Sequence, residues 1–389
     1  MPTITTDQLL KIAHGGSHTF SVSSNLGSPT DKVCPPTVGS GDYPYHTGLD
    51  SQGNTVRQVS LARKGAVGNH HERTVREQRE VQNPLIAKVA YAQVEYPSNS
   101  AFPEGVTFFD TDVPNRIASA HFIFANNTNG ILTGKDPLWR EAVLQGKNQT
   151  RSLLKLSPFS LLGGFWLSTV KGGVQQPSLV SGNITATTAD QTRDARGHIV
   201  TERRRGGFRK DPYFSSAGDA AAGIQIADKL RALMGEEFTK GKDDKKNLSS
   251  IGLGNIGYER DGALGISVRD IVRNTTLSLP LLRGIRLGGD ASDDVKVRAA
   301  LAALYLYVDR LTVETNLHLR AGCVLFEKDA KVLIDNDVFD APTAHEAGLL
   351  LEPLLADATG ILGWNGLAGS WIGNDDLRQA SGAVAGEGE

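Results

Sequence analysis

Apolar residues recur along this chain with two different periods, and each period predicts a different kind of element. Between Asp293 and Asn316 they recur every three to four residues, which predicts a helix with a wide apolar face. Between Ser178 and Ala186 apolar residues alternate with Ser and Thr, which is typical of a half-buried strand. Val56–Ala62 predicts a further strand. The chain therefore combines helices and strands, and no internal repeat is visible.

The same reasoning predicts shorter elements elsewhere. Helices are predicted over Thr6–Ile12 (with Thr6 or Asp7 as N-cap), Gly68–Glu80, Asp112–Phe124, Asp136–Gln145, Ala220–Phe238 and Glu346–Asp357, the last kinked or broken at Pro353. Strands are predicted over Thr19–Val22, Ile86–Tyr96 and Leu317–Phe326. Leu153–Trp166 predicts a helix end at Ser157-Pro158 followed by a buried strand or a second helix. Asn25–Gly53 is rich in Gly, Ser and Pro and predicts a long loop.

Composition narrows the class of protein. With 39% hydrophobic and 22% charged residues, the 389-residue chain is typical of a globular protein with one or two cores. Cys34 and Cys323 are too few for a disulfide framework or a cysteine zinc site. The start has no pattern of a secretory signal, and no apolar run reaches membrane-spanning length. We therefore expect a soluble, cytoplasmic protein with no metal and no cofactor.

The net charge of −2 conceals two oppositely charged regions. Residues 335–389 contain ten acidic residues and one basic residue, whereas the rest of the chain carries a net charge of +7. Seven basic residues lie in one short loop: Arg193, Arg196, Arg203, Arg204, Arg205, Arg209 and Lys210. A basic loop on a rigid scaffold favours binding of a polyanion such as nucleic acid. Segregated charges are, however, also typical of an ordinary solvated surface.

A second basic group surrounds the predicted helix start near Gly68. Small residues at a helix start leave backbone N–H groups that favour phosphate. Five basic residues flank this start: Arg57, Arg63, Lys64, Arg73 and Arg76. A charged helix face is the alternative explanation of the same residues.

Two motifs suggest chemistry that their context does not support. Residues 252–257, Gly-Leu-Gly-Asn-Ile-Gly, match the dinucleotide fingerprint, but no helix start follows them. His70 and His71 point about 100° apart on a helix and have no third ligand nearby, so surface or phosphate-facing roles are expected. No nucleophile–base spacing and no Walker loop is present, so we expect no enzymatic activity. The aromatics lack the RNP pattern, and any RNA is expected to be held through its backbone.

Several segments, taken in order, carry a family resemblance. They are Val59–Glu72, Val113–Ala120, Pro158–Ser168, Ser178–Ala186, Ser250–Ile256 and Leu277–Arg283, followed by the helix and strand up to Phe326. Together they resemble the RAMP-superfamily backbone subunit of type I-U (also called I-G) CRISPR Cascade effector complexes. Three features depart from that family: His70 replaces the usual arginine after Asn69, Pro177 precedes Ser178, and the basic loop is longer.

The resemblance implies an α+β fold, a modified ferredoxin-like or RNA-recognition (RAMP) palm with inserted finger and thumb loops. Residues 1–389 would form a single RAMP-type domain with insertions. Within it, the resemblance and the charge pattern together predict a thumb or basic loop at about 171–216, a helical insertion at 217–248 and an acidic C-terminal region at 335–389. Trp166 lies within the family signature and is expected in the core rather than stacked on a base.

The resemblance also implies a function. Copies of the protein would polymerise along a CRISPR RNA (crRNA), hold the spacer backbone and leave the bases free to pair with target DNA, together with other Cascade subunits and away from any membrane. The implied palm contacts are Gly68, Asn69, His70 and Arg73, with Arg57, Arg63 and Lys64 close by, and Arg116, Lys171 and the basic loop add to them. The alternatives are an RNA-cleaving endoribonuclease of the same superfamily and an unrelated enzyme.

Overall fold

The described part of this chain consists of twelve stretches. The computed structural model describes residues 1–30, 32–36, 43–50, 53–97, 105–127, 130–144, 149–168, 173–189, 209–210, 255–256, 265–320 and 322–374. The chain divides into two compact units. The larger unit comprises residues 1–36, 44–200 and 267–374, and the smaller unit comprises residues 37–43, 201–266 and 375–389. The predicted helix Ala220–Phe238 and the glycine-rich motif, apart from residues 255–256, lie outside the described residues.

The described helices differ widely in length. In chain order they are α1 (Thr6–His14), α2 (Lys64–Glu80), α3 (Ala120–Ile123), α4 (Pro137–Val143), α5 (Gln149–Leu156), α6 (Pro158–Gly163), α7 (Leu279–Arg283), α8 (Ala291–Thr315) and α9 (Ala344–Leu362). Short 3-10 helices cover Ile86–Lys88, Arg116–Ala118 and Thr133–Lys135.

The strands belong to one large sheet and several small ones. In chain order they are β1 (Thr19–Gly27), β2 (Lys32–Val33), β3 (Tyr45–Leu49), β4 (Thr55–Ala62), β5 (Tyr91–Tyr96), β6 (Val106–Phe109), β7 (Phe165–Leu167), β8 (Val174–Gln176), β9 (Val180–Thr188), β10 (Arg209–Lys210), β11 (Asn255–Ile256), β12 (Ile266–Ser278), β13 (His318–Arg320), β14 (Cys323–Val324), β15 (Phe326–Ile334), β16 (Asp337–Asp340) and β17 (Leu367–Ile372).

The large sheet has the order β16-β15-β1-β12-β9-β4-β3, with β2 paired to β12 outside this path. Neighbours along the path pair antiparallel. Along the chain, β1, α2, β9, β12, α8 and β15 follow the order strand-helix-strand-strand-helix-strand. Their four strands lie side by side as β15-β1-β12-β9. The prediction of an α+β protein is confirmed.

The two faces of this sheet differ because the side chains of each strand alternate. On one face Phe20 and Val22 of β1 are fully buried, and the Phe20 ring lies edge-on to Tyr305 of α8 at 5.6 Å. On the other face Ser21 lies beside Thr276, and their hydroxyls are 2.9 Å apart. The helices therefore cover one face, and polar side chains occupy the opposite one.

Glycine at position 182 lets α2 lie directly on the sheet. Gly182 of β9 pairs with Thr275, and a Cβ added there would lie 2.8 Å from Val67 of α2 and 2.7 Å from the Asn274 carbonyl oxygen. Such distances are shorter than real Cβ contacts, so a larger residue would push the helix away. α2 is thereby fixed against the centre of the fold.

Helix α8 forms the centre of the core. Its residues between Val297 and Val313 are buried on all sides, as expected of a helix that is apolar all round. It packs against α1, α2 and α9, and its Tyr305 and Asp309 contact the sheet. The predicted helix Asp293–Asn316 is confirmed as α8. Asp290 is its N-cap.

A second, smaller sheet lies within the larger unit. It has the order β17-β5-β6, with β17 parallel to β5 and β5 antiparallel to β6. Two hairpins complete this unit, β7–β8 and β13–β14. In the smaller unit, β10 pairs with β11.

Several predicted boundaries were wrong for identifiable reasons. The N-cap of α1 is Thr5, whose side chain and that of Gln8 form a capping box. The predicted loop Asn25–Gly53 contains β2 and β3, because pairing with β12 and β4 overrides its loop-like composition. The predicted helix Asp112–Phe124 is present only as the 3-10 helix Arg116–Ala118 and α3, and the backbone of Arg116 is left-handed (φ 51°).

Two further predictions failed near the end of the chain. The helix predicted to break at Pro353 continues as α9 from Ala344 to Leu362. Pro353 is exposed, and the buried side chains of Leu351 and Leu354 on the opposite side hold the helix together despite the lost hydrogen bond. The predicted strand Leu317–Phe326 is instead the hairpin β13–β14, which turns at Gly322 (φ 72°), and β15 begins only at Phe326.

Candidate nucleic-acid interface

One side of α2 lines a cleft of about 750 Å³ in the larger unit. The loop before α3, the end of α6 and the hairpin β7–β8 form its other walls. Cationic, amide and aromatic side chains face this cleft: Lys64, Asn69, Arg73, Arg76, Asn115, Arg116, Trp166, Gln175 and Gln176. Two acids, Glu72 and Asp112, also line it. Positive charge therefore exceeds negative charge in the cleft, which favours an anionic ligand.

The N-terminus of α2 presents both free backbone donors and free cations. Its N-cap, Arg63, is extended and makes no side-chain capping bond, and the first turn contains no acid. The N–H groups of the first three helical residues have no partner inside a helix. Arg63, Lys64 and Gly65 are exposed. Within the part of the chain that the structure describes, neither Arg63 nor Lys64 has an acidic partner. Phosphate is the ligand that this arrangement favours.

Gly68 does not begin the helix, contrary to the sequence prediction. α2 begins four residues earlier, at Lys64, because Arg63 is extended and Ala66 and Val67 continue the helix without strain. Gly68 and Asn69 therefore contribute surface to the cleft instead of helix-terminal N–H groups. A Cβ added at Gly68 would meet no atom within 4 Å, so the cleft is open at this point.

Arg73 and Arg76 lie one turn apart on the exposed side of α2. Arg73 pairs with Glu77 at 2.8 Å, and Arg76 pairs with Glu80 at 3.0 Å and more distantly with Asp112. Exposed pairs of this kind contribute about 0.3–0.5 kcal/mol. Both guanidinium groups can therefore exchange a carboxylate for a phosphate at small cost.

The two adjacent histidines lie in different surroundings. His71 is buried, and its Nε2 lies 3.2 Å from Asp309 and 3.1 Å from the Arg273 guanidinium. His70 is half-buried, and burial, followed by the nearby charges of His71 and Arg273, lowers its pKa to about 4. At neutral pH His70 is therefore uncharged, and it is not among the residues that line the cleft, contrary to its predicted role as a contact.

A buried polar cluster supports the floor of the cleft. Asp309 of α8 accepts hydrogen bonds from the Arg273 guanidinium at 2.6 and 3.1 Å and from the Thr275 hydroxyl at 2.7 Å. These partners outweigh burial and hold the pKa of Asp309 well below its usual range. Tyr305, which lines the cleft, donates its hydroxyl proton to Thr275, whose own proton goes to Asp309. The cluster fastens α8, β12 and α2 together beneath the cleft.

Arg116 was predicted to contact RNA. The structure places it at the cleft, where its guanidinium already has partners within the protein. It is paired with Glu72 of α2 and donates to the Gly164 carbonyl oxygen beside β7. Burial raises the pKa of Glu72 to about 7, against the opposing charge of Arg116. A side chain at Gly163 would collide with the Arg116 guanidinium. Arg116 therefore ties α2 to the hairpin β7–β8.

Arg57, another predicted contact, lies inside the protein. Its side chain is 4% exposed, its Nε donates to the Thr188 hydroxyl at 3.2 Å, and its guanidinium lies over the Tyr45 ring at 5.1 Å. Both faces of β4 are covered over most of the strand, so Arg57 is buried although its charge suggests an exposed residue. It joins β4 to β9 and β3, and it presents almost no surface to a ligand.

The predicted basic loop is described only at its end. Arg209 and Lys210 form β10 and pair with Ile256 and Asn255. The other predicted contacts lie outside the described residues: Lys171, Arg193, Arg196, Arg203, Arg204 and Arg205.

Trp166 was predicted to lie in the core, and this prediction was wrong. The residue is 62% exposed and lines the cleft. In β7 its neighbours Phe165 and Leu167 are both buried, so the strand alternation places Trp166 on the open side. A three-residue strand carries almost no periodic pattern, so the sequence holds no clear signal of this exposure.

Among the described residues, no group of three or more His, Cys, Asp or Glu side chains is arranged to hold a metal ion. The described helices include none with the length and apolar character needed to cross a membrane.

One of the comparisons with known proteins finds a family, over part of the chain. Residues 23–191 match the family model described as "CRISPR-associated protein GSU0053 (Cas_GSU0053)". No curated protein matches the sequence. A chain of a solved "CRISPR RNA-guided surveillance complex, pre-nicking" shares 13% sequence identity over 94% of this chain and 100% of that chain, with a TM-score of 0.29, which is too low to define a shared fold. The family match includes α2, the hairpin β7–β8 and most residues of the cleft. Over residues 23–191 the chain is thus similar to a family of CRISPR-associated proteins.

Proposed function

We propose that this protein is a non-catalytic, crRNA-binding backbone subunit of a type I-U (I-G) CRISPR effector complex. The observation that carries the proposal is the N-terminus of α2, where Arg63 and Lys64 have no acidic partner among the described residues and the first backbone N–H groups are free. This arrangement suits a phosphate. It opens on a cleft with excess positive charge, in the segment that is similar to CRISPR-associated proteins.

The strand order supports a ferredoxin-like palm of the RAMP type. The order strand-helix-strand-strand-helix-strand, with the strands arranged β15-β1-β12-β9, is the order expected of such a palm. In this proposal α2 is the first palm helix and α8 the second. Residues 171–216 then supply the thumb or basic loop, 217–248 a helical insertion, and 335–389 an acidic region for contact with a neighbouring subunit.

Phosphate contacts give the binding mode that a guide-carrying subunit needs. Backbone contacts position a strand without reading its sequence, so one protein can hold any spacer. The outer face of the sheet carries Ser21 and Thr276 where RNA-recognition sheets stack bases on aromatic residues. The bases therefore stay available for pairing with target DNA, and copies of the protein assemble side by side with other Cascade subunits.

Purification without nuclease treatment tests this function directly. The protein is expressed together with its effector partners and a CRISPR array, and the copurified nucleic acid is extracted and sequenced. Recovery of intact crRNA of uniform length supports the proposal. A preparation that contains no RNA, or protein that degrades added RNA, contradicts it.

A double variant tests whether the N-terminus of α2 binds the RNA. Replacing Arg63 and Lys64 together by Ala removes two phosphate contacts, which lowers RNA affinity and reduces the slope of log K against log salt by about 1.4 for a single strand. Lys88 and Lys155 are exposed cations that do not line the cleft, and their double Ala variant is the matched control. Equal losses in the two double variants would remove the helix terminus from the interface.

One observation favours an RNA-cleaving endoribonuclease as the second candidate. His71 lines the cleft and lies 3.2 Å from Asp309, and an imidazole oriented by a carboxylate is a common general base. Its Nε2 is, however, enclosed by Asp309 and Arg273 in the interior. RNA turnover by the purified protein that disappears in His71→Gln, at unchanged melting temperature, would establish this alternative.

A further inference from the structure

Trp166 differs from the other three tryptophans of the chain. Trp139, Trp364 and Trp371 are 2–4% exposed, and Trp139 and Trp364 each donate the indole N–H to a backbone carbonyl. Trp166 is 62% exposed. Leaving a large aromatic ring in water forgoes the stabilisation that its burial would provide. An exposed tryptophan inside a concave site therefore indicates a surface kept open for a ligand.

The hairpin β7–β8 directs this ring into the cleft together with an amide group. Trp166 pairs with Gln175 across the hairpin, so the two side chains lie on the same face. Gln175 is exposed, and both residues line the cleft. A flat aromatic surface thus lies beside a side chain that can both donate and accept hydrogen bonds.

The position of the hairpin relative to α2 is fixed. Arg116 bridges Glu72 of α2 and the carbonyl of Gly164, immediately before β7. Gly164 is left-handed (φ 73°), and a Cβ there would lie 2.6 Å from the Gln176 carbonyl oxygen, so the backbone is closely packed at this turn. The backbone of β7, which carries Trp166, is therefore fixed relative to α2, and both elements line the cleft.

We propose that Trp166 stacks on one nucleobase of the bound single-stranded RNA, with Gln175 beside the base edge. The adjoining phosphates contact Lys64 and Arg73 of α2, which line the same cleft. The cleft, at about 750 Å³, has the volume of pockets that hold small ligands such as a nucleotide. Stacking tolerates any base, because every base has an aromatic face. This inference rests on the proposed function and adds a base contact to its backbone contacts.

The test compares two strands that differ only in their bases. The purified full-length protein is titrated with a fluorescently labelled oligouridylate and with an abasic ribose-phosphate strand of the same length, at several salt concentrations. Stacking of one base is expected to make the oligouridylate bind about 5-fold to 150-fold more tightly than the abasic strand. The oligouridylate should also quench the emission of the exposed indole.

Variants connect this difference to Trp166. In Trp166→Ala the two strands should bind almost equally, with an unchanged salt slope, whereas Trp166→Phe should retain most of the difference. Leu349→Ala, which truncates another exposed apolar side chain (57% exposed) outside the cleft, is the matched control and should behave as wild type. Because Trp166 is exposed, its Ala variant should keep the wild-type melting temperature.

The possible results separate this inference from the proposed function. If the wild-type protein binds both strands with the same affinity, or Trp166→Ala keeps the full preference for bases, stacking at Trp166 is wrong while RNA binding stands. If neither strand binds, the proposed function is wrong and the stacking inference falls with it. A preference for bases that Trp166→Ala removes and Trp166→Phe retains supports the inference.

Discussion

Asp309 in α8 accepts two hydrogen bonds from the guanidinium of Arg273 in β12, at 2.6 and 3.1 Å, with both side chains almost fully buried. Replacing Asp309 by Ala would leave the Arg273 charge buried without its partner. We expect the free energy of unfolding to fall by about 3–5 kcal/mol, measured by urea denaturation.

The matched control for Asp309 is an exposed ion pair. Arg76 and Glu80 of α2 are about half exposed and lie 3.0 Å apart. Glu80→Ala should change the free energy of unfolding by less than about 1 kcal/mol. A similar loss in both variants would show that the Asp309 cluster is no more important for stability than a surface pair.

His70 makes stability depend on pH. Its pKa in the folded protein is about 4, below the ordinary value of 6.5, because burial and neighbouring positive charges disfavour the protonated ring. The stabilisation is fully present above pH 6.5 and is lost as the pH falls toward 4. His70→Gln should therefore weaken the fall in unfolding free energy between pH 6.5 and 4, measured by urea denaturation across this range.

Glu72 has the opposite effect on the pH dependence. Burial raises its folded-state pKa to about 7 from an ordinary 4.5, so its contribution is greatest below pH 4.5 and is lost as the pH rises through 7. Glu72→Gln, which mimics the protonated carboxyl group, should flatten the stability profile between pH 4.5 and 7. An unchanged profile would mean that the pairing with Arg116 cancels the effect of burial.

Replacing two glycines by Ala should change the free energy of unfolding in opposite directions. Gly68 lies within α2 with no atom within 4 Å of an added Cβ, so Gly68→Ala should raise the free energy of unfolding by about 0.5–1 kcal/mol. Gly182→Ala would place its Cβ 2.7 Å from the Asn274 carbonyl oxygen and should lower it by about 1–3 kcal/mol. Thermal and urea unfolding of both variants, side by side, measure the contrast.

The basic loop gives a prediction that follows from the sequence. Replacing Arg203, Arg204 and Arg205 by Ala should weaken RNA binding and reduce the salt slope by about 2 if each residue contacts one phosphate. Preference among RNA sequences should not change, because phosphate contacts carry no sequence information. Anisotropy titrations at four or more salt concentrations measure both quantities. An unchanged slope would exclude the loop from the interface.

The sequence predicted the central elements because their patterns are strong. The apolar stripe from Asp293 to Asn316 and the alternation from Ser178 to Ala186 appear as α8 and β9. The basic residues before α2 were likewise visible from composition. Elements that depend on long-range contacts were not predicted from the sequence. β3 forms by pairing with β4, and α9 continues through Pro353 because its other side is buried.

The candidate site was predictable in its charge but not in its geometry. Sequence patterns identify Arg57 and Arg63 equally as cations, and only the direction of each side chain buries the first and exposes the second. Trp166 was assigned to the core because it lies within the segment that resembles the family signature. Its exposure depends on which face of a three-residue strand meets the cleft, and a strand that short carries almost no periodic signal.

The central position of α8 determines when the protein can complete its fold during synthesis. This helix is buried by α1, which precedes it in the chain, and by α9, which follows it. A nascent chain that stops before α9 leaves an apolar side of α8 in water, and such exposed surfaces promote aggregation. The core of the larger unit is therefore complete only after α9 has been made, although α9 follows all four of the strands β15, β1, β12 and β9 in chain order.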